Sequence, residues 1–332
     1  MAARQGQKLK LLHIIDILKK YTDEDNPISA GEICEKLSES GITAERKAIY
    51  NDIENLIFYG FDIVHTRVPS NGYFLASREF ELPEIYLLCD AVRSAPFISV
   101  KKSRELISKL DSMLSDSQLK KREKGIYINE ASKCENEEIY YNINTISSAI
   151  NDRKKITFRY GKRKLGDSRK IETVYREMTV SPYALVWQDD YYYLLGNHAK
   201  HDNLIHLRVD RMRKVTATDE PVRHFSEVSE YKEFFDVADY TNKLFGMYGG
   251  QLERTDFTCS VEILEQVIDR FSDKIFIKNV TDTHFSFSVD VAISEALVTW
   301  IMNYGDKITV NSPEKLKDMI KFRTEAILKN YR

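Results

Sequence analysis

The sequence is poor in cysteine and lacks the motifs of the common enzyme classes. Its 332 residues include four cysteines, which lie far apart and form no CxxC pair. Disulfides and zinc sites are therefore not expected, and a reducing compartment is favoured. P-loop, GxSxG, HExxH and GxGxxG motifs are absent, and the seven histidines show no metal-ligand spacing. We expect no enzyme activity, no cofactor and no bound metal.

Long apolar runs are absent as well. Residues 8–18 are rich in Leu and Ile, but His13 and Asp16 interrupt them and no cleavage site follows. This pattern excludes a signal peptide and a membrane span, so we expect a cytoplasmic protein. The hydrophobic content of 42% and the charged content of 30% are typical of a globular protein. The length allows two or three domains.

The charge is unevenly distributed along the chain. A net charge of −2 argues against a protein that coats nucleic acid without specificity. Residues 151–223 nevertheless carry 16 basic and 10 acidic side chains, whereas residues 1–78 carry 10 basic and 11 acidic ones. The local excess suits an anionic ligand. The alternative is that these charges belong to solvated strand ends and turns.

The start of the chain predicts three helices followed by a hairpin, the order of a winged helix-turn-helix. Residues 8–21 repeat apolar side chains at helical spacing. Ser29 begins a capping-box pattern for a second helix, and Thr43 is expected to cap a third. The wing is expected to have two strands, residues 61–67 and 73–76, on either side of a turn.

The third helix is the candidate recognition helix. Its apolar residues are expected to face inward, namely Ile49, Ile53, Leu56 and Ile57. This leaves polar and basic side chains for the major groove, while the wing reaches the DNA backbone or the minor groove. The candidate DNA-binding residues are Arg46, Lys47, Tyr50, Asn51, Arg67 and Asn71. The alternative is a solvated helix of a protein-interaction module.

The middle of the chain predicts helices that lead into a small β-domain. Residues 82–119 show helical spacing without basic or catalytic clusters, and we interpret them as a connector that promotes dimerisation. A short strand is expected at residues 126–128 and a helix at residues 137–151. The β-domain then opens with alternating residues 156–160, followed by a basic, mobile loop at residues 161–170.

Residues 181–211 are the most informative segment. They predict two strands joined at Asp189 and Asp190, a turn at residues 198–203, and a third strand of alternating polarity. In that strand apolar Ile205, Leu207 and Val209 oppose polar His206, Arg208 and Asp210. A small barrel with Arg, His and Tyr on one face can hold an anion.

Several side chains of this segment suit a phosphate-bearing ligand. Guanidinium groups match the geometry of phosphate, and aromatic rings stack on bases. The candidate ligand-binding residues are Ser181, Tyr183, Tyr192, His206, Arg208 and Arg211. Two alternatives stay open: either Tyr193 or Leu194 is a core residue, and Asp210 pairs with Arg211 or holds a strand end.

These patterns resemble the WYL domain, the sensor half of many bacterial transcriptional regulators. Tyr192-Tyr193-Leu194 stands at the Trp-Tyr-Leu triplet, between Ser181-Pro182-Tyr183 and Arg208-Val209-Asp210-Arg211. Ile49-Tyr50-Asn51-Asp52-Ile53 resembles the heads of these regulators, with Asn51 where the family usually has Arg. Residues 299–306 and 312–316 resemble the extension that often follows a WYL domain.

The resemblance implies an α+β multidomain protein. The expected domains are a winged helix-turn-helix DNA-binding domain (1–80), a helical connector and dimerisation element (81–137), a WYL sensor built as a small SH3/Sm-like β-barrel (138–230), and a C-terminal WYL extension (231–332). The element order at the end of the chain fits a ferredoxin-like α+β layer.

The function implied by the resemblance is that of a ligand-responsive transcriptional regulator. We expect a homodimer that binds double-stranded operator DNA and senses a nucleotide or another nucleic-acid-derived anion, with no membrane partner. The alternative is an accessory single-stranded nucleic-acid-binding protein of a defence system, in which the head serves for association. A duplex-specific footprint would favour the regulator. Tight binding of single strands without an operator would favour the alternative.

Overall fold

The structure is a computed structural model that describes residues 2–122, 133–167 and 169–331. It divides into two units, Met1–Glu137 and Glu138–Arg332. The strand expected at residues 126–128 lies outside the described residues. In the described ranges, no helix combines the length and apolar character that crossing a bilayer requires.

The first unit begins with three helices and a hairpin, the order that the sequence predicts. Its elements are α1 (Ala2–Tyr21), α2 (Ala30–Glu39), α3 (Arg46–Tyr59), β1 (Ile63–Thr66), β2 (Gly72–Leu75), α4 (Leu82–Ser94), α5 (Val100–Asp111) and α6 (Asp116–Arg122). The capping box of α2 is present, because Ser29 and Glu32 each bond the other's backbone N–H. Thr43 does not cap α3, because the chain stays extended as far as Glu45, the residue before the helix.

One apolar core joins α1, α2, α3 and the hairpin. Ile49, Ile53 and Leu56 are buried in it as expected. The prediction for Ile57 is wrong, because this side chain is 46% exposed. It follows Leu56 directly, and a turn of about 100° per residue carries it away from the core stripe. The core therefore fixes which face of α3 is left to solvent.

A polar contact holds the connector helices against the head of the first unit. The carboxylate of Asp23 accepts hydrogen bonds from the hydroxyls of Ser115 and Ser117 and from Asn26 Nδ2 at 2.7 Å. Burial raises the pKa of Asp23, but these hydrogen bonds outweigh burial and lower it overall. The charged carboxylate thus ties the loop after α1 to the start of α6.

The second unit opens with a helix and a five-stranded antiparallel sheet. These elements are α7 (Ile139–Asn151), β3 (Lys154–Leu165), β4 (Ile171–Gln188), β5 (Tyr191–His198), β6 (Ile205–Arg208) and β7 (Met212–Pro221). The strand order is β6-β5-β4-β3-β7. Helix α7 contacts β3, β4 and β7, and its Ile139 and Ile146 are fully buried.

The sheet is curled but not closed. In the described residues, its edge strands β6 and β7 are not hydrogen-bonded to each other, which corrects the expectation of a barrel. A 3-10 turn, Val209–Arg211, joins the two edges directly. Because Arg208 and Met212 are four residues apart, they can be at most about 14 Å from each other, and these ends of the two edges are brought close together. Closure fails because β6 is only four residues long and its ladder stops where the turn begins.

Two connections of this sheet differ in how well the sequence predicts them. Asp189 and Asp190 form the expected two-residue turn, with φ of 48° and 63°, the left-handed pair of a type I′ hairpin. Residues 161–165 of the loop expected at residues 161–170 are instead the end of β3, and β4 begins directly after this range. The β3–β4 ladder continues to the pair Leu165–Ile171, because β4 is rich there in β-branched and aromatic residues.

A second sheet completes this unit in the order β11-β8-β10-β9. Its elements and those around it are α8 (Val237–Asn242), β8 (Gln251–Ser260), α9 (Leu264–Phe271), β9 (Ile277–Lys278), β10 (His284–Ile293), α10 (Glu295–Met302), β11 (Ile308–Ser312) and α11 (Glu314–Asn330). The β-α-β-β-α-β order from β8 to β11 is that of a ferredoxin-like layer. Trp300 packs on this core, with its ring 5.4 Å from that of Phe245.

Candidate functional site

A cleft lies between strand β6 and the segment 228–252 of the second unit. Its volume is about 1070 Å³, at the upper end of the range for small-molecule sites. Its lining is rich in tyrosine and also includes both arginines and the histidine of the β6 region. These polar lining residues are Tyr160, Tyr193, His206, Arg208, Arg211, Tyr231, Tyr240 and Tyr248.

The pairing of β5 with β6 decides which side chains face this cleft. Tyr193 lies opposite Arg208, and Leu195 lies opposite His206, so each pair projects on the same side of the sheet. Leu194 projects on the other side and is fully buried. Of the two residues between which the sequence left the choice open, Leu194 is therefore core and Tyr193 faces the cleft.

Arg208 is held by partners from β5 and from the turn that follows β6. Its Nε and Nη2 donate to the two carboxylate oxygens of Asp210 at 3.0 and 2.7 Å, and its guanidinium lies 3.3 Å from the centre of the Tyr191 ring. Burial lowers the pKa of Arg208, but the hydrogen bonds and charge of Asp210 outweigh it and raise the pKa. Much of the hydrogen-bonding capacity of this guanidinium is thus already in use.

Arg211 differs from Arg208 in its exposure and its contacts. Its side chain is exposed, and no ion pair holds it within the part of the chain that the structure describes. Asp210 pairs with Arg208 rather than with Arg211. Burial raises the pKa of neighbouring Tyr160, and the charge of Arg211 and its hydrogen bond with this tyrosine oppose that rise. Arg211 is therefore the cation of the cleft that can take up an incoming anion.

His206 offers hydrogen bonding and not charge. Its Nε2 lies 2.9 Å from the hydroxyl of Tyr240. Burial lowers the pKa of His206 to about 4, against a hydrogen bond with the backbone of Met247 that raises it. At neutral pH the ring is therefore uncharged, and it acts as a polar wall of the cleft.

The far wall of the cleft is a tight turn in a glycine-rich segment. Gly246 and Met247 have φ of 53° and 58°, the values of a type I′ turn. A Cβ on Gly249 would lie 3.3 Å from Cε1 of His206, and one on Gly250 would lie 2.2 Å from the carbonyl oxygen of Ile293. Glycine thus lets the backbone approach the histidine and the neighbouring strand closely.

The other predicted ligand residues lie outside the cleft. Ser181 is 2% exposed, and its hydroxyl accepts a hydrogen bond from the backbone of Arg223 at 3.0 Å. The hydroxyl of Tyr183 donates to the carbonyl of the same Arg223 at 2.8 Å. Tyr192 lies on the opposite side of the sheet from Tyr193 and packs 5.5 Å from Trp187. Three of the six candidates, namely His206, Arg208 and Arg211, are therefore brought together.

Sequence reasoning missed most of the tyrosines of the cleft. Tyr160 lies on β3, while Tyr231, Tyr240 and Tyr248 belong to the start of the region expected as the C-terminal extension. The sequence does contain one indication of this wall. Aromatic residues and several glycines occur close together in this segment, and glycine marks places where the backbone approaches other groups closely. Their convergence on β6 depends on packing between distant parts of the chain.

The candidate DNA-binding residues are all exposed in the first unit. No ion pair holds any of the six among the described residues: Arg46, Lys47, Tyr50, Asn51, Arg67 and Asn71. The ring of Tyr50 lies 6.3 Å from that of Tyr73, which lies 4.8 Å from that of His65. This aromatic row connects α3 with both strands of the wing.

Comparison of this chain with a solved structure and with the curated proteins does not identify its function. The structure of proteasome accessory factor B/C (PafBC) of Arthrobacter aurescens is similar, with 14% sequence identity and a TM-score of 0.27. The similarity covers 96% of this chain and 46% of that one, so the present chain spans less than half of that protein's length. No curated protein matches.

A family match defines the domain that contains most of the cleft's charged side chains. Residues 141–217 match the WYL domain. This range contains α7 except its first two residues, strands β3 to β6, and the greater part of β7. Tyr160, Tyr193, Arg208 and Arg211 lie inside it, whereas the opposite wall of the cleft lies beyond it. The chain contains a WYL domain.

Proposed function

We propose that this protein is a ligand-responsive transcriptional regulator. Its first unit binds operator DNA through a winged helix-turn-helix, and its WYL domain senses a nucleotide or another nucleic-acid-derived anion. The observation that carries the proposal is the cleft, in which an exposed arginine without an ion-pair partner in the described residues stands among tyrosine rings. This combination suits a ligand that has both a phosphate and a base.

The form of α3 supports the DNA-binding half of the proposal. Arg46 and Lys47 are the first two residues of the helix, and its first turn has no acidic residue. The positive end of the helix dipole and two cations then act together on a phosphate or on base edges. The same end of a recognition helix contacts base edges in helix-turn-helix complexes.

The cleft supports the sensor half. A phosphate beside Arg211 would gain a charge-assisted contact without first breaking an ion pair. The neutral ring of His206 and the hydroxyl of Tyr240 line the wall beyond it. Rings such as Tyr193 and Tyr248 offer stacking surface for a base. Glu230 also lines the cleft, and its negative charge disfavours a ligand with phosphates at both ends.

The proposal includes a homodimer. A single recognition helix reads only one half-site, and two-fold operators match two-fold proteins. A ligand that binds two conformations of the dimer unequally would change operator affinity by that difference in binding free energy. Sedimentation at micromolar concentration should show more than the 38.7 kDa monomer, and a monomer both with and without DNA would contradict this part.

The central experiment is a footprint on the DNA upstream of the protein's own gene, with and without short oligonucleotides and nucleotides. We expect protection of a palindromic duplex that changes when the ligand is added. Arg211→Ala should abolish the change and keep the protection. Binding of single strands without any protected duplex would instead support an accessory single-stranded nucleic-acid-binding protein of a defence system.

A further inference from the structure

The hairpin formed by β3 and β4 extends beyond the sheet that carries it. The pairing of β3 with β7 reaches its last pair at Tyr160 and Met212. The pairing of β3 with β4 continues to Leu165 and Ile171. Beyond Tyr160, the two strands therefore have only each other as partners. We call residues 161–176 the ribbon.

The ribbon concentrates exposed cations without ion-pair partners. It carries six basic side chains, and no ion pair holds any of them in the described ranges: Lys162, Arg163, Lys164, Arg169, Lys170 and Arg176. At the base of β3, in contrast, Lys154 pairs with Asp219 at 3.2 Å and Lys155 with Glu220 at 2.9 Å. The carboxylates of the ribbon are Asp167 and Glu172. The net positive charge is therefore presented to solvent.

The cations lie on both faces of the ribbon. Successive residues of a strand project on opposite faces, so Lys162 and Lys164 share one face and Arg163 lies on the other. Arg176, opposite Tyr160 in the ladder, adds to the face of Lys162 and Lys164. Near the tip, Leu165 and Ile171 are 73% and 74% exposed. A ribbon with charge on both faces fits a partner that surrounds it.

We propose that the ribbon inserts into the major groove of double-stranded DNA. The groove is about 12 Å wide and 8.5 Å deep and admits a two-stranded ribbon. Five residue pairs, from Gly161–Tyr175 to Leu165–Ile171, extend beyond the sheet. At about 3.3 Å per residue they span about 13 Å, which is more than the depth of the groove. The cations of both faces then contact the phosphate rows on either side, and the apolar pair Leu165–Ile171 meets base edges such as thymine methyl groups.

The same features argue against a single strand as the partner. Single strands bind to one charged face on which aromatic rings stack with bases. The ribbon has a single tyrosine, Tyr175, and the guanidinium of Arg159 lies 5.1 Å from the centre of its ring. The ribbon adds a duplex contact in the second unit that does not depend on the recognition helix α3.

The test measures binding of the full-length protein to a fluorescein-labelled duplex of three helical turns, with the corresponding single strand measured in parallel. The ribbon variant replaces Lys162, Arg163 and Lys164 by Ala. The matched control replaces Lys307, Lys315 and Lys321 by Ala, three exposed lysines that pair with carboxylates of the C-terminal region. A third variant, Lys162→Arg, Arg163→Lys and Lys164→Arg, keeps the charge of the ribbon.

For the ribbon variant we expect a weaker and less salt-dependent duplex complex. Each lost phosphate contact lowers the slope of log K against log salt by about 0.9, which corresponds to roughly fivefold in affinity near 0.15 M salt. The charge-conserving variant should keep the slope of the wild type, and the control should lose much less than the ribbon variant. An unchanged slope in the ribbon variant, an equal loss in the control, or a loss confined to the single strand would overturn the proposal.

The α3 variant Arg46→Ala and Lys47→Ala in the same assay separates this inference from the proposed function. If the ribbon variant weakens duplex binding and the α3 variant does not, the ribbon contact stands and the recognition helix has been misplaced. If only the α3 variant weakens duplex binding, the ribbon contact is refuted and the recognition helix stands. Loss of affinity in both variants supports both contacts.

Discussion

The cleft of the second unit and the exposed face of α3 differ in how their polar side chains are held. On α3, Arg46 and Lys47 extend into solvent without an ion-pair partner among the described residues. In the cleft, Arg208 is fixed by Asp210 and Tyr191, and His206 is bonded to Tyr240. A solvated helix face adapts to a partner that brings its own charge, whereas a fixed cleft is already arranged for one ligand shape.

Because of this difference, substitutions in the cleft and on α3 should affect different properties of the protein. Substitutions in the cleft remove interactions that also hold the folded protein together, so they should change the free energy of unfolding. Substitutions on α3 should change DNA affinity alone. Within the cleft, Arg211 resembles the α3 residues, because it is exposed and no ion pair in the described ranges holds it. Fixed and unfixed side chains can therefore be compared within the cleft itself, with Arg208 and Arg211.

The largest effect is expected from Arg208→Ala. The side chains of Arg208 and Asp210 are 22% and 11% exposed, and removing one partner of such a pair costs about 3 kcal/mol of unfolding free energy. Arg208→Lys should restore little, because an ammonium group cannot form the two parallel bonds. Denaturation in urea checks this.

The matched variant for this prediction is Arg211→Ala. We expect it to keep the unfolding free energy within about 0.5 kcal/mol and to lose ligand affinity by about tenfold or more. If both arginine variants unfold at the same denaturant concentration as the wild type, the distinction between the two arginines fails. If Arg211→Ala binds oligonucleotides as the wild type does, the cleft is not their site.

The next effect concerns pH. His206 has a pKa lowered to about 4 in the folded protein, below the usual value of about 6.5. The unfolded chain therefore binds more protons between these two values, so stability should fall as pH drops from about 6.5 to about 4. The partly exposed ring reduces the expected loss to about 2 kcal/mol. His206→Gln should remove this part of the pH dependence, and an identical profile in that variant would exclude the histidine as its source.

A smaller effect is expected on α3. Arg46→Ala with Lys47→Ala should weaken operator binding by about tenfold to thirtyfold near 0.15 M salt and flatten its salt dependence by up to about 1.8, if two phosphate contacts are lost per subunit. Thermal unfolding and oligonucleotide binding should stay unchanged. A lower melting temperature in this variant would show that the face of α3 is structural.

The smallest effect is expected from Tyr183→Phe. Its hydroxyl donates to the carbonyl of Arg223, so the variant should lose about 1 kcal/mol of unfolding free energy. The ring itself packs among Phe225 and Phe235 and stays in place. Because Tyr183 does not line the cleft, ligand affinity should not change. A large loss of affinity would show that Tyr183 contacts the ligand after all.

The sequence predicts α3 well because its signals are local. The periodicity of Ile49, Ile53 and Leu56 and the glycine after Tyr59 define a helix and its buried face without reference to the rest of the chain. The cleft is predicted only in part because its face depends on long-range packing. Alternation along β5 indicates that neighbouring side chains point in opposite directions, but does not tell which side meets the tyrosine-rich segment.

Irregularities in the sheet also limit what a sequence indicates. The register of β4 shifts between Pro182 and Ala184, so side chains beyond this bulge change face relative to those before it. The triplet at Tyr192 therefore could not be assigned to a face by counting from Ser181. The ribbon was mistaken for a loop because charged residues and Gly166 resemble loop composition, while the partner strand lies on the far side of the turn.

Strand β4 has a further consequence for the exchange of backbone amides with solvent. Residues 177–180 of β4 pair with a part of β3 that is itself paired with β7, whereas residues 171–175 pair with a part of β3 that has no second neighbour. Opening of a two-stranded segment does not require the sheet to open. Amides of residues 171–175 should therefore exchange faster than those of residues 177–180, and bound duplex should slow only the fast group. Strand β4 thus contains amides with two levels of protection from exchange. The border between them lies where β7 ends its pairing with β3.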